Sequence, residues 1–160
     1  MAYLIDGNNF IGHTSPYEIK NIRSKYELVY RLLIFQLIKK TKIFLVFDGP
    51  PDSLLSTKEF KEKPFQIIFP PIEKNADMII KDIILKQKDL KKFLVVSMDR
   101  EIKNFARSKG AKVLSCEDFN TQLKETMKKH KKFLEKQKNV TTSSPLEVKH
   151  WIEIFKAKNE

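Results

Sequence analysis

One cysteine, four glycines and a deficit of acid set the first limits on this chain. A lone Cys116 permits no intramolecular disulfide and no thiolate metal cluster, so a reducing, cytoplasmic setting is expected. Four glycines cannot furnish a phosphate-cradling loop. Neither G-x-x-x-x-G-K-S/T nor G-x-G-x-x-G occurs, which argues against nucleotide binding by those routes, and no G-x-S-x-G elbow is present. No apolar run approaches the roughly 18–20 residues of a membrane span. The N-terminus has no basic region ahead of a long apolar stretch, so neither membrane association nor secretion is expected. Acid is outnumbered: 20 Asp+Glu stand against 31 Lys+Arg, a net charge of +11. Such an excess implies a polyanionic partner, since lysines on phosphates release condensed counterions, or else a lysine-rich proteome.

What is present suits one globular domain. The 160 residues are 41% hydrophobic, with 12 Phe, enough for a real core. "AYLI" (Ala2–Ile5) reads as a buried strand stopping at Asp6. "SKYELVYRLLIFQLIKK" reads as a helix, with Ser24 and Glu27 spaced as a capping box and Leu28, Leu32 and Phe35 on one face. "KIFLVFD" is a second strand ending on Asp48, and "PFQIIFPP" a third. "NADMIIKDIILKQ" is a helix capped by Asn75, with Met78, Ile79, Ile83 and Leu85 as apolar content. "KFLVVSMD" is a fourth strand ending on Asp99. "REIKNFARSKG" is a short helix stopped by Gly110, and "AKVLS" is a fifth strand. A basic helix follows from about Glu117 to Lys138. After the linker "NVTTSSP", a closing helix is expected with Ser144 as cap and Pro145 at its first position. Doubly apolar strands alternating with helices predict an α/β fold, a mostly parallel sheet of about five strands between helical layers. The expected division is a domain over residues 1–122 and a basic helical C-terminal extension over 123–160.

Three strands end on aspartate: Asp6, Asp48 and Asp99. In a parallel sheet these ends share one edge, where ligands bind in open α/β folds. Asp77 lies in the first turn of a helix that starts near that edge. Each aspartate alone is explained as a turn former or as an acid favoured by a helix dipole. Three strands stopping the same way point further, to a metal site. Crowded carboxylates raise one another's pKa unless a cation compensates them. All-oxygen ligands suit a hard ion, Mg²⁺ or Mn²⁺, and Mg²⁺ favours phosphate as co-ligand, so a phosphodiester is the expected substrate.

The blocks "LIDGNNFIG", "VFDG", "NADMIIKDI" and "VVSMDREIKNFARSKGAKVLS" resemble, in order, the signature blocks of NYN domains, and within them the YacP-like branch. The closing "EVKHWIEIF" is similar to that branch's tryptophan-containing helix. The resemblance implies a three-layer PIN-like domain and a metal-dependent endoribonuclease. By position it implies Asp6, Asp48, Asp77 and Asp99 as metal-binding acids, and Asn9 as the residue orienting Asp6 or a metal-bound water. It further implies messenger RNA as substrate and the ribosome as a partner. Three positions depart from the branch. Asn8 replaces the usual Tyr, Met98 replaces a small hydroxyl residue with Ser97 one place earlier, and Met78 follows Asp77 where Glu is frequent.

The segment "KETMKKHKKFLEKQK" offers Lys124, Lys128, Lys129, Lys131 and Lys132 as RNA backbone contacts, against the plainer reading of a solvated face. Arg100 suits either a scissile phosphate or a neighbouring carboxylate. His13 reads as a loop residue, and His130 and His150 lack metal-ligand partners at useful spacing. Trp151, with Ile154 and Phe155, reads as a docking face for the last helix. Asp82, about 140° around the helix from Asp77, is expected to face elsewhere. Asp52 is an acidic neighbour of the expected site. Two rivals remain: a non-catalytic RNA- or ribosome-binding module, and a phospho-acceptor receiver, for which "AKVLSCED" lacks the lysine expected at the last strand's end.

Overall fold

β1 (Ala2–Asp6) is apolar until its last residue because it lies in the middle of the sheet. A computed structural model describes residues 1–14, 22–61 and 64–137. Five strands, β1, β2 (Lys42–Val46), β3 (Phe65–Ile68), β4 (Phe93–Val96) and β5 (Lys112–Leu114), run parallel in the order β3-β2-β1-β4-β5. β1 pairs with β2 on one side, Asp6 opposite Val46, and with β4 on the other, Ile5 opposite Val96. The strand order therefore reverses at β1, the point at which such sheets open a crevice at their carboxyl ends.

Side chains alternate across β1 and divide the core in two. Tyr3 and Ile5 enter the larger cluster, beneath α1 (Gly7–Thr14), α2 (Ile22–Lys39) and α5 (Cys116–Lys136). Its centre is aromatic: Tyr3, Phe10 and Phe35 surround Phe119 with ring centroids 5.4–5.8 Å away. Leu4 enters the other cluster, beneath α3 (Ala76–Lys86) and α4 (Arg100–Ser108). Helices cover both faces, which is the expected three-layer arrangement. Among the described residues no helix is long and apolar enough to cross a membrane.

Local signals held where side chains cap backbone and failed where tertiary packing intervened. Asn75 caps α3, its side chain accepting from the Met78 N–H. Ser24 does not stand at the start of its helix: α2 begins at Ile22 and Ser24 is buried within it, while Glu27 pairs with Arg23 at 3.4 Å. On α3 the buried residues are Ala76, Ile80, Ile83 and Ile84; Met78 and Leu85 are exposed. The boundary expected at residue 122 falls inside the continuous helix α5, whose Cys116, Phe119 and Leu123 belong to the core. The linker and closing helix of residues 139–158, with Ser144, Pro145, His150, Trp151, Ile154 and Phe155, lie outside the described residues.

Gly7 is needed for space rather than for a turn. It opens α1 directly after β1, and a Cβ there would meet the Phe47 ring at 2.6 Å and the Val46 carbonyl oxygen at 3.0 Å. Phe47 is fully buried, so its ring has nowhere to go. Gly7→Ala should destabilise the protein by about 1–3 kcal/mol through overpacking. Thermal unfolding checks this, and an unchanged midpoint would show that α1 does not approach β2 so closely.

Candidate active site at the carboxyl edge

Asp6 is the centre of the edge. It ends β1, is 7% exposed, and stands next to the strand-order reversal. A buried carboxylate must find donors. The Ser97 hydroxyl, itself fully buried, donates to Asp6 Oδ2 at 3.3 Å, and the backbone N–H of Asn9 donates to the same carboxylate. These bonds do not fully compensate. Burial first, then the negative charge of Asp77, push the Asp6 pKa up to about 6; Ser97 and Asn9 oppose the rise and Asp99 adds to it.

Asp99 follows β4 and caps α4, its Oδ1 accepting from the Ile102 N–H at 3.1 Å. Its own N–H donates to Ser97 Oγ at 3.1 Å, so one hydroxyl links the ends of β1 and β4. Asn9 closes the same junction. Its Oδ1 accepts from the Met98 N–H at 2.8 Å and lies 3.6 Å from the Cys116 thiol. The Asn9 backbone thus serves Asp6, while its side chain fixes the β4 terminus. Burial pushes the Cys116 pKa up to about 12, so the thiol is an inert packing group.

Asp48 is exposed, just beyond β2, and its position is set by Asn8, whose Oδ1 accepts from the Asp48 N–H at 3.0 Å. Gly49 follows with φ +87°, a left-handed turn that glycine tolerates, and donates to Asp48 Oδ1. Asp77 is half-buried in the first turn of α3. Burial raises its pKa first, then Asp99 and Glu101; Lys81 opposes, and Asp48 raises it further. Lys81 pairs with Glu101, bridging α3 to α4 beside these acids. Asp82 faces elsewhere, pairing with Lys74 at 3.2 Å.

Asp6 thus responds to Asp77 and Asp99, and Asp77 to Asp99 and Asp48. The four carboxylates form one electrostatic group at one edge. Among the described residues, however, no three Asp, Glu, His or Cys side chains stand close enough to hold a single metal ion. Repulsion between partly buried like charges disfavours closer approach. The donor set itself is all oxygen and costly to leave charged, which is the chemistry a hard divalent cation compensates.

Arg100 is exposed at the first position of α4, one residue past Asp99. His13 belongs to the last turn of α1 rather than to a loop. Asp52 accepts from the Tyr26 hydroxyl at 2.8 Å and from two backbone N–H groups, a structural role. The lysines of α5 are not at the edge. Ser115 caps α5 at the carboxyl side of the sheet, and the helix runs away from it, placing Lys124 about 14 Å and Lys132 about 25 Å along the axis. Lys124, Lys128, Lys129, Lys131 and Lys132 are all exposed. Asn8 and Ser97 are supports that the sequence marked only as a departure and a neighbour; the signal was a second asparagine beside Asn9 and a lone hydroxyl between Val96 and Asp99.

Because the folded pKa of Asp6 lies above the ordinary 3.8, the folded state holds that proton more tightly. Its contribution to stability is full below pH 3.8 and is lost as pH rises through about 6. Asp6→Asn removes the penalty, so with chelator present the variant should be more stable than wild type at pH 7.5, by at most about 3 kcal/mol. The gap should close toward pH 4. Urea unfolding at a series of pH values measures it, and a pH-independent gap would contradict a buried titrating Asp6.

A family model described as a YacP-like NYN domain matches residues 3–155. Solved structures similar to this one include two of Rae1 (YacP) from Bacillus subtilis. One is 17% identical with a TM-score of 0.70, covering 85% of this chain and 80% of that one. The other, a W164L mutant, is 15% identical with a TM-score of 0.69, covering 94% and 89%. At such identities the likeness is one of fold. No curated protein sequence matches the chain.

Proposed function

Since the chain belongs to the YacP-like NYN domain family, a PIN-like nuclease fold, we propose that it is a metal-dependent endoribonuclease cutting RNA phosphodiester bonds. The observation that carries this reading is the coupled group Asp6, Asp48, Asp77 and Asp99 at the carboxyl edge, where the strand order reverses. Mg²⁺ or Mn²⁺, held by these carboxylates, would supply a water of lowered pKa and neutralise charge on the phosphoryl oxygens. The chain's residues have separate duties. Ser97 and the Asn9 N–H keep Asp6 oriented, and the α4 cap fixes Asp99. Asn8 holds the backbone at Asp48. Arg100, exposed one residue past Asp99, would meet the phosphate, and the α5 lysines would track the backbone away from the edge. We assign messenger RNA as substrate, the ribosome as partner and the cytoplasm as setting, on the resemblance to the YacP-like branch.

A second reading, a non-catalytic RNA- or ribosome-binding module, draws on one observation: no three of the described acids are already arranged around a common point.

Asp6→Asn and Asp99→Asn decide between them. Each removes a charge without changing shape, and asparagine still caps α4 at position 99. Both should lower Mn²⁺-dependent cleavage of single-stranded RNA at least about a hundredfold, as loss of a preorganised charge does, with far-UV circular dichroism unchanged. Titration calorimetry should record Mn²⁺ binding to wild type and weaker binding to both variants. RNA binding with no cleavage at all would favour the second reading, while cleavage that survives chelation would overturn the metal dependence of the first.

A further inference from the structure

The helical face opposite α3 and α4 carries a groove that the acidic edge does not use. Thr14, Arg31, Asn120, Lys124, Met127 and Lys128 line an open cavity of about 460 Å³ where α2 lies against α5. A second cavity of about 350 Å³, lined by Tyr30, Met127, Lys128, His130, Lys131 and Leu134, lies beside it, with Met127 and Lys128 common to both.

Arg31 is the unusual member. Its guanidinium is half-buried, and Nη2 donates to Asn120 Oδ1, a neutral acceptor, at 2.7 Å. Among the described residues it makes no ion pair. Glu27, one turn earlier on α2, is engaged by Arg23 at 3.4 Å. Burial depresses the Arg31 pKa, with Glu27 opposing, so the positive charge is held at a cost that no carboxylate in ion-pair contact offsets. Five N–H donors in a fixed fork match a phosphate, and Asn120 holds that fork in place. Lys124, Lys128 and Lys131 continue the charge at intervals of four and three residues, about 6 and 4.5 Å along the axis. A free phosphate fills one point of such a row. A linear polyanion fills all of it.

We propose that this groove is a subsite for the phosphodiester backbone of single-stranded RNA, with Arg31, braced by Asn120, as its fixed point. The identity of the ligand rests on the RNA reading above; the residues Arg31, Asn120 and Thr14 lie outside it. Asn120 lies on α5 one turn beyond Cys116, about 6 Å along the axis from the residue that Asn9 meets at the edge.

The test uses the full chain, chelator, and a fluorescein-labelled uridine oligoribonucleotide of about 12 nucleotides, within the range a single-strand site covers. Anisotropy is followed from about 50 to 200 mM KCl, where phosphate contacts are read out. Arg31→Gln should weaken binding about tenfold, as loss of a charge-assisted contact does, and lower the salt slope by about 0.7. Asn120→Asp places a carboxylate on Arg31; it should weaken RNA binding comparably while the thermal midpoint holds or rises, which a purely structural role would not produce. Should Arg31→Gln fail to fold, Asn120→Asp decides alone. Wild-type affinity and slope in the variants overturn the proposal, as does absence of binding by wild type. If wild type never cleaves RNA with Mn²⁺ but both losses appear, the nuclease reading fails and the groove stands. If wild type cleaves and the variants bind normally, the groove falls and the edge reading is untouched.

Discussion

The rest of the structure depends on β1 being paired in parallel on both sides. That pairing buries every side chain from Tyr3 to Asp6 and leaves no solvated place for the last of them. A carboxylate so placed is expensive unless its oxygens are satisfied. The neighbouring elements are arranged to satisfy it. Ser97 extends from the end of β4, Asn9 turns its N–H from the first turn of α1, and Gly7 lets α1 begin close enough to do so. The compensation is incomplete, and the remaining penalty appears as the raised pKa. A fold selected for stability alone would place asparagine or an apolar residue here. The charge makes sense as something kept for a partner of opposite sign.

The fold was largely legible because its strands are short, continuous and apolar, and each is followed by a cap or turn of familiar chemistry. Asn75 and Gly110 declared their roles locally. Ser24 did not, since it lies buried inside α2 rather than at its start. The candidate site was legible to the same depth. Strand-end aspartates can be seen in a string, because a parallel sheet fixes which ends meet. How close their side chains come cannot be seen, since that depends on local bonds such as Asn8 to Asp48 and Asp99 to Ile102. Arg31 was invisible for a different reason: within "YELVYRLLIF" it looks like one more charge on a helix, and its meaning comes from Asn120, 89 residues away.

Charge is distributed unequally over the two helical layers, and this orients any polyanion that approaches. On the α3–α4 side, Lys81 and Lys74 are committed to Glu101 and Asp82. On the α5 side, between Lys124 and Lys132, five lysines are accompanied by a single acid, Glu125. Attraction at physiological ionic strength acts over about 8 Å, so under the proposed function an RNA strand would be drawn first to α5 rather than to the edge, where four carboxylates would repel it. Binding strength and edge chemistry would then be separated in space. Under that reading the acidic edge could remain locally repulsive, as a cation site requires, because the attraction would be supplied elsewhere on the same domain.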